Sequence, residues 1–470
     1  MTSKKTGGDF NMMGTVRFRF APASIYVKAL VVTFFAASSW DVETTVRAED
    51  WLLENATVHT VGKAGTIDKA SIHVSDGKIK AIGNDLVAPI SIRKIDGKGK
   101  HVIPGLVGLF YPVATSGEPS AGETRTITVG GRTFTVGGAS PAVSTSFTVV
   151  SENVGLDSLD WQLPTRAGIT TMQLIAPGYC QTAVVKPSSD RFASRWVDEK
   201  SQLVVTLTNS PQSLDLLRNN LKDPTASADG TANNPSRGAP SFPSRTGGGV
   251  RGPRGGSGTP PGTGAPSTPA PTPPDASAKP AVELTPEQKL WKQVRDGERS
   301  IWLNVNNAAT ILYALQILKD YPKAKVVWIA NGTDVFQALE KLPKDSSTVI
   351  LPPQIDIVPN TRNRMNVPAL AVNAKVPFAF SIGLRNAELS RTEAAPLFAF
   401  SIISKTGLSQ QEALKAATLG PAELLGLQSQ IGSLEVGKLA NMIVLDGSPF
   451  ETETSIDTVY VEGSAVYEDN

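Results

Sequence analysis

Histidine and cysteine are nearly absent from this chain. Its 470 residues include three histidines, His59, His73 and His101, and one cysteine, Cys180. A single cysteine excludes an intramolecular disulfide, and no Cys-x-x-Cys pair is present for zinc or redox chemistry. Three histidines, all before residue 102, are few for a catalytic centre built on imidazole. An excess of one charge is lacking too. Lys and Arg number 45 against 43 Asp and Glu, a net +2 that implies neither a nucleic-acid partner nor an acidic substrate. The apolar run Ala29–Ala37 is short of the ~20 residues that span a bilayer. No Gly-x-x-x-x-Gly-Lys and no strand-linked Gly-x-Gly-x-x-Gly supports nucleotide binding.

That short run does fit a targeting signal. Lys4, Lys5, Arg17, Arg19 and Lys28 precede it, and Val46-Arg47-Ala48, or alternatively Ala36-x-Ser38, suits a signal peptidase. Residues 1–48 are read as a signal peptide or targeting segment. The expectation is an exported protein of the periplasm or cell envelope, with a membrane anchor made by an uncleaved segment as the alternative. A disordered extension on a cytoplasmic protein is the plain reading.

From Trp51 the pattern is short strands and tight turns. Ser71–Val74 and Lys78–Ile82 meet through Asp76-Gly77, and Ile90–Ile95 ends at Asp96-Gly97. Asn441–Leu445 and Thr458–Val461 supply further strands. Residues 51–103 and 431–470 are therefore expected to build one β-sandwich from both chain ends. Between them, alternating runs separated by Gly130-Gly131 predict a β-hairpin over 126–136. Strands are expected at Ala167–Ile175, Leu203–Leu207, Ile301–Val305, Lys325–Ile329, Thr348–Leu351 and Pro377–Ser381, with helices over 308–319 and 334–342. That βα spacing argues an α/β fold with a parallel sheet. Thr285-Pro286 and Ser409–Glu412 mark helix starts. Residues 223–282 are rich in Pro, Gly and Ser and are read as a disordered linker. Its Arg237, Arg245, Arg251 and Arg254 resemble RGG-type tracts only weakly. No specific nucleic acid is implied, and peripheral envelope association is the more sensible use in an exported protein.

The stretch His101–Pro112 resembles the segment that enters the barrel in the amidohydrolase superfamily, of imidazolonepropionase-like type. Metal-dependent members read Pro-Gly-Leu-Ile-Asp-x-His-x-His there. Pro104-Gly105-Leu106-Val107 matches, but Gly108 stands in place of the Asp, and Phe110 and Pro112 in place of the two histidines. Gly168-Ile169-Thr170-Thr171 is similar to a second family strand. Glu412–Gly426 followed by Ile431–Asp446 is similar to the family's C-terminal passage. The resemblance implies a (β/α)8 TIM-like barrel over 104–222 and 283–430, beside the β-sandwich. It also implies a hydrolase of non-peptide C–N bonds using a divalent metal such as zinc.

By the same resemblance, Asn304 and Asn306 stand at the strand-five ligand positions and Asn331 at the strand-six position. The strand-eight Asp falls near Ile382 or Gly383, and no carboxylate lies between Lys375 and Glu388. Neutral amides are poor ligands for a transition metal and cannot replace a carboxylate as proton acceptor. The candidate pocket positions are thus Gly108, Phe110, Pro112, Asn304, Asn306, Asn331 and Gly383. No catalytic residue and no metal ligand is assigned among them, and no cofactor is expected unless the chain is active. Strand-end and cap roles are the plain account of the asparagines. Cys180 lacks a barrel histidine to activate it. Lys186 is either an anchor for an anion or a solvated lysine. His73, between Ile72 and Val74, is expected to face solvent. Three functions follow: an exported amidohydrolase-like pseudoenzyme keeping at most a cleft for a small molecule; the hydrolase itself; or an envelope-associated interaction protein using its basic linker.

Overall fold

A computed structural model describes residues 50–469, apart from 85, 88–90, 114–124, 130–131, 137–145, 189–193, 223–283, 333, 359 and 383–406. The targeting segment, the linker, the Gly130-Gly131 turn and Gly383 lie outside the described residues.

The chain opens with β1 (Trp51–His59), β2 (Thr66–Ser75), β3 (Lys78–Gly83), β4 (Arg93–Asp96) and β5 (His101–Pro104). Asp76 and Gly77 take φ +51° and +72°, as a tight hairpin between β2 and β3 demands. Next come β6 (Leu106–Pro112), the paired β7 (Arg125–Val129) and β8 (Arg132–Val136), β9 (Phe147–Val149), β10 (Ile169–Ile175), β11 (Tyr179–Gln181), β12 (Ala183–Val185), β13 (Trp196–Asp198) and β14 (Leu203–Leu207). After residue 283 follow β15 (Ser300–Val305), β16 (Lys325–Ala330), β17 (Ser347–Leu351), β18 (Asp356–Ile357), β19 (Arg364–Met365) and β20 (Phe378–Phe380). The chain closes with β21 (Met442–Leu445), β22 (Ile456–Val461) and β23 (Ser464–Glu468).

Both chain ends enter one eight-stranded sheet, ordered β23-β22-β21-β5-β1-β2-β3 with β4 beside β1. The C-terminal strands join the sheet by hydrogen bonds, β21 running antiparallel to β5 with Val444 opposite Val102. The sheet also curls, so the last strands pack over the first as the expected sandwich requires: the Trp51 and Tyr460 rings lie 4.6 Å apart, and Lys78 bridges Leu439. Alternation along β21 then serves two cores. Met442 and Val444 pack with Trp51, Val58, Ile72 and Val102, while Ile443 and Leu445 join the core shared with the α/β strands. Trp51 Nε1 donates to the Gly463 carbonyl at 2.8 Å, tying the first strand to the last hairpin.

The α/β strands form sheets of four (β13-β12-β10-β6) and seven (β20-β17-β16-β15-β14-β11-β9) strands, where the resemblance implied a single closed ring. β12 pairs antiparallel with β10, and β11 antiparallel with β14, so each sheet contains a short reversed strand one place in from its edge. From β14 through β15, β16 and β17 to β20 all pairing is parallel. Helices cover one face, and the strand sequences read as near-continuous apolar runs, as buried parallel strands do.

Two helices show how local sequence sets the outcome. Pro286–Asp296 begins with a reciprocal capping box between Thr285 and Gln288 and ends at Gly297 with φ +77°. The expected helix over 334–342 is instead a 3₁₀ turn, Val335–Lys341. Asp334 does not cap it, because its carboxylate accepts the Ala308 N–H at 3.2 Å.

Tyr179 fastens the first helix after residue 283 to β11. Its hydroxyl donates to Glu287 Oε1 at 2.7 Å and accepts from Trp291 Nε1 at 2.5 Å. Burial, and then the Glu287 bond, push its pKa well above the ordinary phenol value. Tyr179→Phe should leave the buried indole N–H unpaired and cost about 1–3 kcal/mol. Urea denaturation would show this as a lower midpoint with an unchanged slope.

Candidate functional site

Strand alternation sorts the side chains of β14, β15 and β16. Leu203, Val205, Ile301, Leu303, Val305, Val326, Trp328 and Ala330 pack against the helices. Val204, Trp302, Val327 and Ile329 face the other way, into a core that also holds Phe110, Met172, Ile350 and Ala379. Continuing the same parity to the C-terminal ends of the strands reaches Thr206, Asn304 and Asn331. Thr206 lies opposite Asn304 in the sheet register. Asn331 Nδ2 donates to Asn304 Oδ1 at 3.1 Å, and Asn304 Nδ2 donates to Thr206 Oγ1 at 3.3 Å. The result is a short row of neutral hydrogen-bonding groups over an apolar floor. Asn304 is 7% exposed, while Thr206 and Asn331 are half-buried.

More neutral groups follow β14 and β15 in the chain. Asn307 caps the helix Ala308–Leu318 by accepting the Thr310 N–H at 2.8 Å. Thr310 Oγ1 lies 2.6 Å from Asn209 Oδ1. Thr206, Asn209 and Thr310 escaped the sequence reading, although the parity of Thr206 with Val204 in a parallel strand was a usable signal.

The remaining predicted positions divide. Gly108 lies on β6 opposite Met172, and a Cβ there would sit 2.8 Å from the Ile382 carbonyl oxygen. Phe110 is buried with φ +66°, where a register shift against β10 lets its ring enter the apolar core. That conformation is strained for an aromatic residue. Asn306 and Pro112 are exposed and belong to neither the row nor its floor.

All three histidines lie in the sheet made by the chain ends. His59 Nε2 is 3.0 Å from His101 Nδ1, with ring planes 18° apart and centroids 5.3 Å apart. The centroid separation equals the N–N distance plus about one ring radius on each side, so the rings meet edge to edge in a hydrogen bond whose donor is set by their tautomers. Sequence spacing gave no sign of this pair, which arises because β1 and β5 run side by side in parallel. His73 does not face solvent as expected: it is half-buried on β2, and its Nε2 is buried with no hydrogen-bond partner among the described residues. Cys180 is buried, its thiol pushed up to about 12 by burial. Lys186 is held by Glu462 in an ion pair and is not free for an anion.

The histidine pair has a pH signature. Burial, and then the neighbouring His101, lower His59 to about 4 against the opposing pull of Asp68. Burial also lowers His101, opposed by Glu451 and Asp68. Above the unfolded value of about 6.5 both states hold His59 neutral. As pH falls from there toward 4, the unfolded chain takes a proton that the folded chain refuses, so stability falls. His59→Gln should flatten the decline in Tm across that window, measured by scanning calorimetry.

In structure, the chain is similar to an amidohydrolase from Thermotoga maritima: TM-score 0.62 at 16% identity, covering 89% of this chain and 100% of that one. The fold is that of an amidohydrolase. The amidohydrolase family's sequence profile matches residues 369–466. Imidazolonepropionase of Syntrophobacter fumaroxidans is 48% identical over 56 residues, 12% of this chain and 13% of that protein. Human N-acetylglucosamine-6-phosphate deacetylase is 38% identical over 66 residues, 14% and 15% of the two chains. The chain thus spans only about an eighth of the length of the curated relatives it matches. In an amidohydrolase fold the implied metal would sit at the strand ends, held by imidazoles and carboxylates. Gly108, Phe110, Asn304 and Asn331 offer neither, so these residues do not fit it. Among the described residues, no group of three or more His, Cys, Asp and Glu is placed to hold a metal ion.

Proposed function

We propose that this chain is an amidohydrolase-fold protein that does not hydrolyse through a metal. In this reading it holds a neutral, hydrogen-bonding small molecule at Thr206, Asn304 and Asn331, above the floor made by Val204, Trp302 and Ile329. One observation carries the reading: every histidine of the chain lies in the terminal β-sheet, and the inward groups at the ends of β14, β15 and β16 are a hydroxyl and two neutral amides. Such groups can orient a ligand by donating and accepting hydrogen bonds, but they cannot take a proton from water. Assays with lactam, imide and amide substrates, with zinc or manganese supplied, should give rates at the uncatalysed level. Metal-stimulated turnover would contradict the proposal.

A second reading is hydrolysis of a non-peptide C–N bond. The profile match over 369–466 and the similarity to imidazolonepropionase favour it. The same assays decide between the two.

Export remains part of the proposal and rests on residues 1–48. Among the described residues, no helix is long and apolar enough to cross a membrane. N-terminal sequencing of the protein from its native host should find a start at Glu49 if Val46-Arg47-Ala48 is cleaved. Retention of Met1, or a start at Met12 or Met13, would oppose cleavage.

A further inference from the structure

The helix Ala308–Leu318 carries more apolar surface than its own sheet covers. Ile311, Ala314, Ile317 and Leu318 are buried in the core with the strands. Leu312, Leu315, Gln316 and Lys319 follow a second i, i+3, i+4, i+7 stripe. This stripe is one wall of a groove of 600 Å³, floored by Ala324, Val326 and Ser347 and faced by Tyr321, Lys341 and Pro343. Its volume lies within the ~300–1,000 Å³ that small-molecule sites occupy.

The charged groups of the groove are of one sign. Two lysines, Lys319 and Lys341, belong to the lining, and no carboxylate does. Neither lysine has an ion-pair partner among the described residues. The Ser347 hydroxyl is engaged, accepting Trp328 Nε1 at 3.2 Å. An apolar bed under two uncompensated cations complements an anion with an aliphatic tail. A second copy of the chain is a poor occupant, because a two-fold contact through this face would set lysines against lysines. The groove lies where β16 and β17 begin, about 20 Å of strand from the row of Thr206, Asn304 and Asn331 at their far ends.

We propose that this groove binds an amphipathic monoanion, an aliphatic carboxylate whose chain lies on Leu312, Leu315 and Val326 and whose head is held by Lys319 and Lys341. The site is separate from the strand-end row, and its test is independent of that reading. Titration of the full chain with decanoate at low ionic strength, followed by calorimetry, should show one saturable site per chain. Decanol should bind more weakly than decanoate. The double variant Lys319→Gln/Lys341→Gln should lose at least about tenfold in affinity. Ser346→Trp, which fills the groove from its half-buried rim, should abolish binding, and unchanged Tm values would show that the variants fold. The proposal is overturned if decanoate does not saturate, if decanol binds as tightly, or if the double variant binds as the parent does. A concentration-dependent dimer that Ser346→Trp abolishes would likewise overturn it, by making the groove an interface between copies.

Discussion

Trp302→Ala is expected to cost about 3–5 kcal/mol, the range for removing a large buried aromatic side chain. Trp302 is fully buried in the core with Val204, Val327 and Ile329, and its Nε1 donates to Ser300 Oγ at 3.3 Å. The floor under Asn304 is built around this side chain, and parallel strands pinned by their own ladders have little freedom to collapse into the space it leaves. Urea denaturation would report the loss. Ile329→Val, in the same core, should cost only about 0.5–1.5 kcal/mol. Similar effects for the two would mean that Trp302 does not form the floor.

Gly332→Ala should be nearly as damaging, for a different reason. A Cβ at Gly332 would stand 1.8 Å from the Asn306 carbonyl oxygen and 2.5 Å from its carbon. Both atoms are backbone, so no rotamer change can relieve the contact, and the ends of β15 and β16 must separate. That separation breaks the Asn331 to Asn304 hydrogen bond. The expected cost is about 3 kcal/mol or more, at the upper end of what single substitutions do. Gly426→Ala is the informative contrast. Gly426 has φ +77° but open space around its Cβ position, so it should cost only the left-handed backbone strain of about 1–2 kcal/mol.

Much of this molecule was legible in the sequence because buried parallel strands and capped helices leave local marks. Leu203–Leu207 and Lys325–Ile329 are apolar runs of strand length, and Thr285-Pro286 and Ser409–Glu412 are start signals whose partners lie within three residues. The edge pairing of β21 with β5 was not legible, because an alternating strand fits equally well beside another strand or stacked over it. The 3₁₀ turn at Val335–Lys341 was missed because Asp334 spends its carboxylate on a helix 26 residues earlier in the chain. At the strand ends, the resemblance pointed to Asn304 and Asn331, and strand parity explains why they meet. It pointed equally to Asn306 and Pro112, which are exposed, because a motif records order along the chain and not which way a side chain turns after a bulge, as at Pro112, or past the end of a strand, as at Asn306. The His59–His101 pair depends on a parallel pairing between strands about forty residues apart, for which spacing carries no signal.

The most direct test of the account is the metal content of the purified chain by inductively coupled plasma mass spectrometry, alongside the variants Phe110→His and Asn304→His. The account predicts less than about a tenth of a zinc, manganese or iron ion per parent chain, since a site of imidazoles and carboxylates normally retains its ion. Near-stoichiometric metal in the parent chain would contradict it and move hydrolysis of a C–N bond to the front.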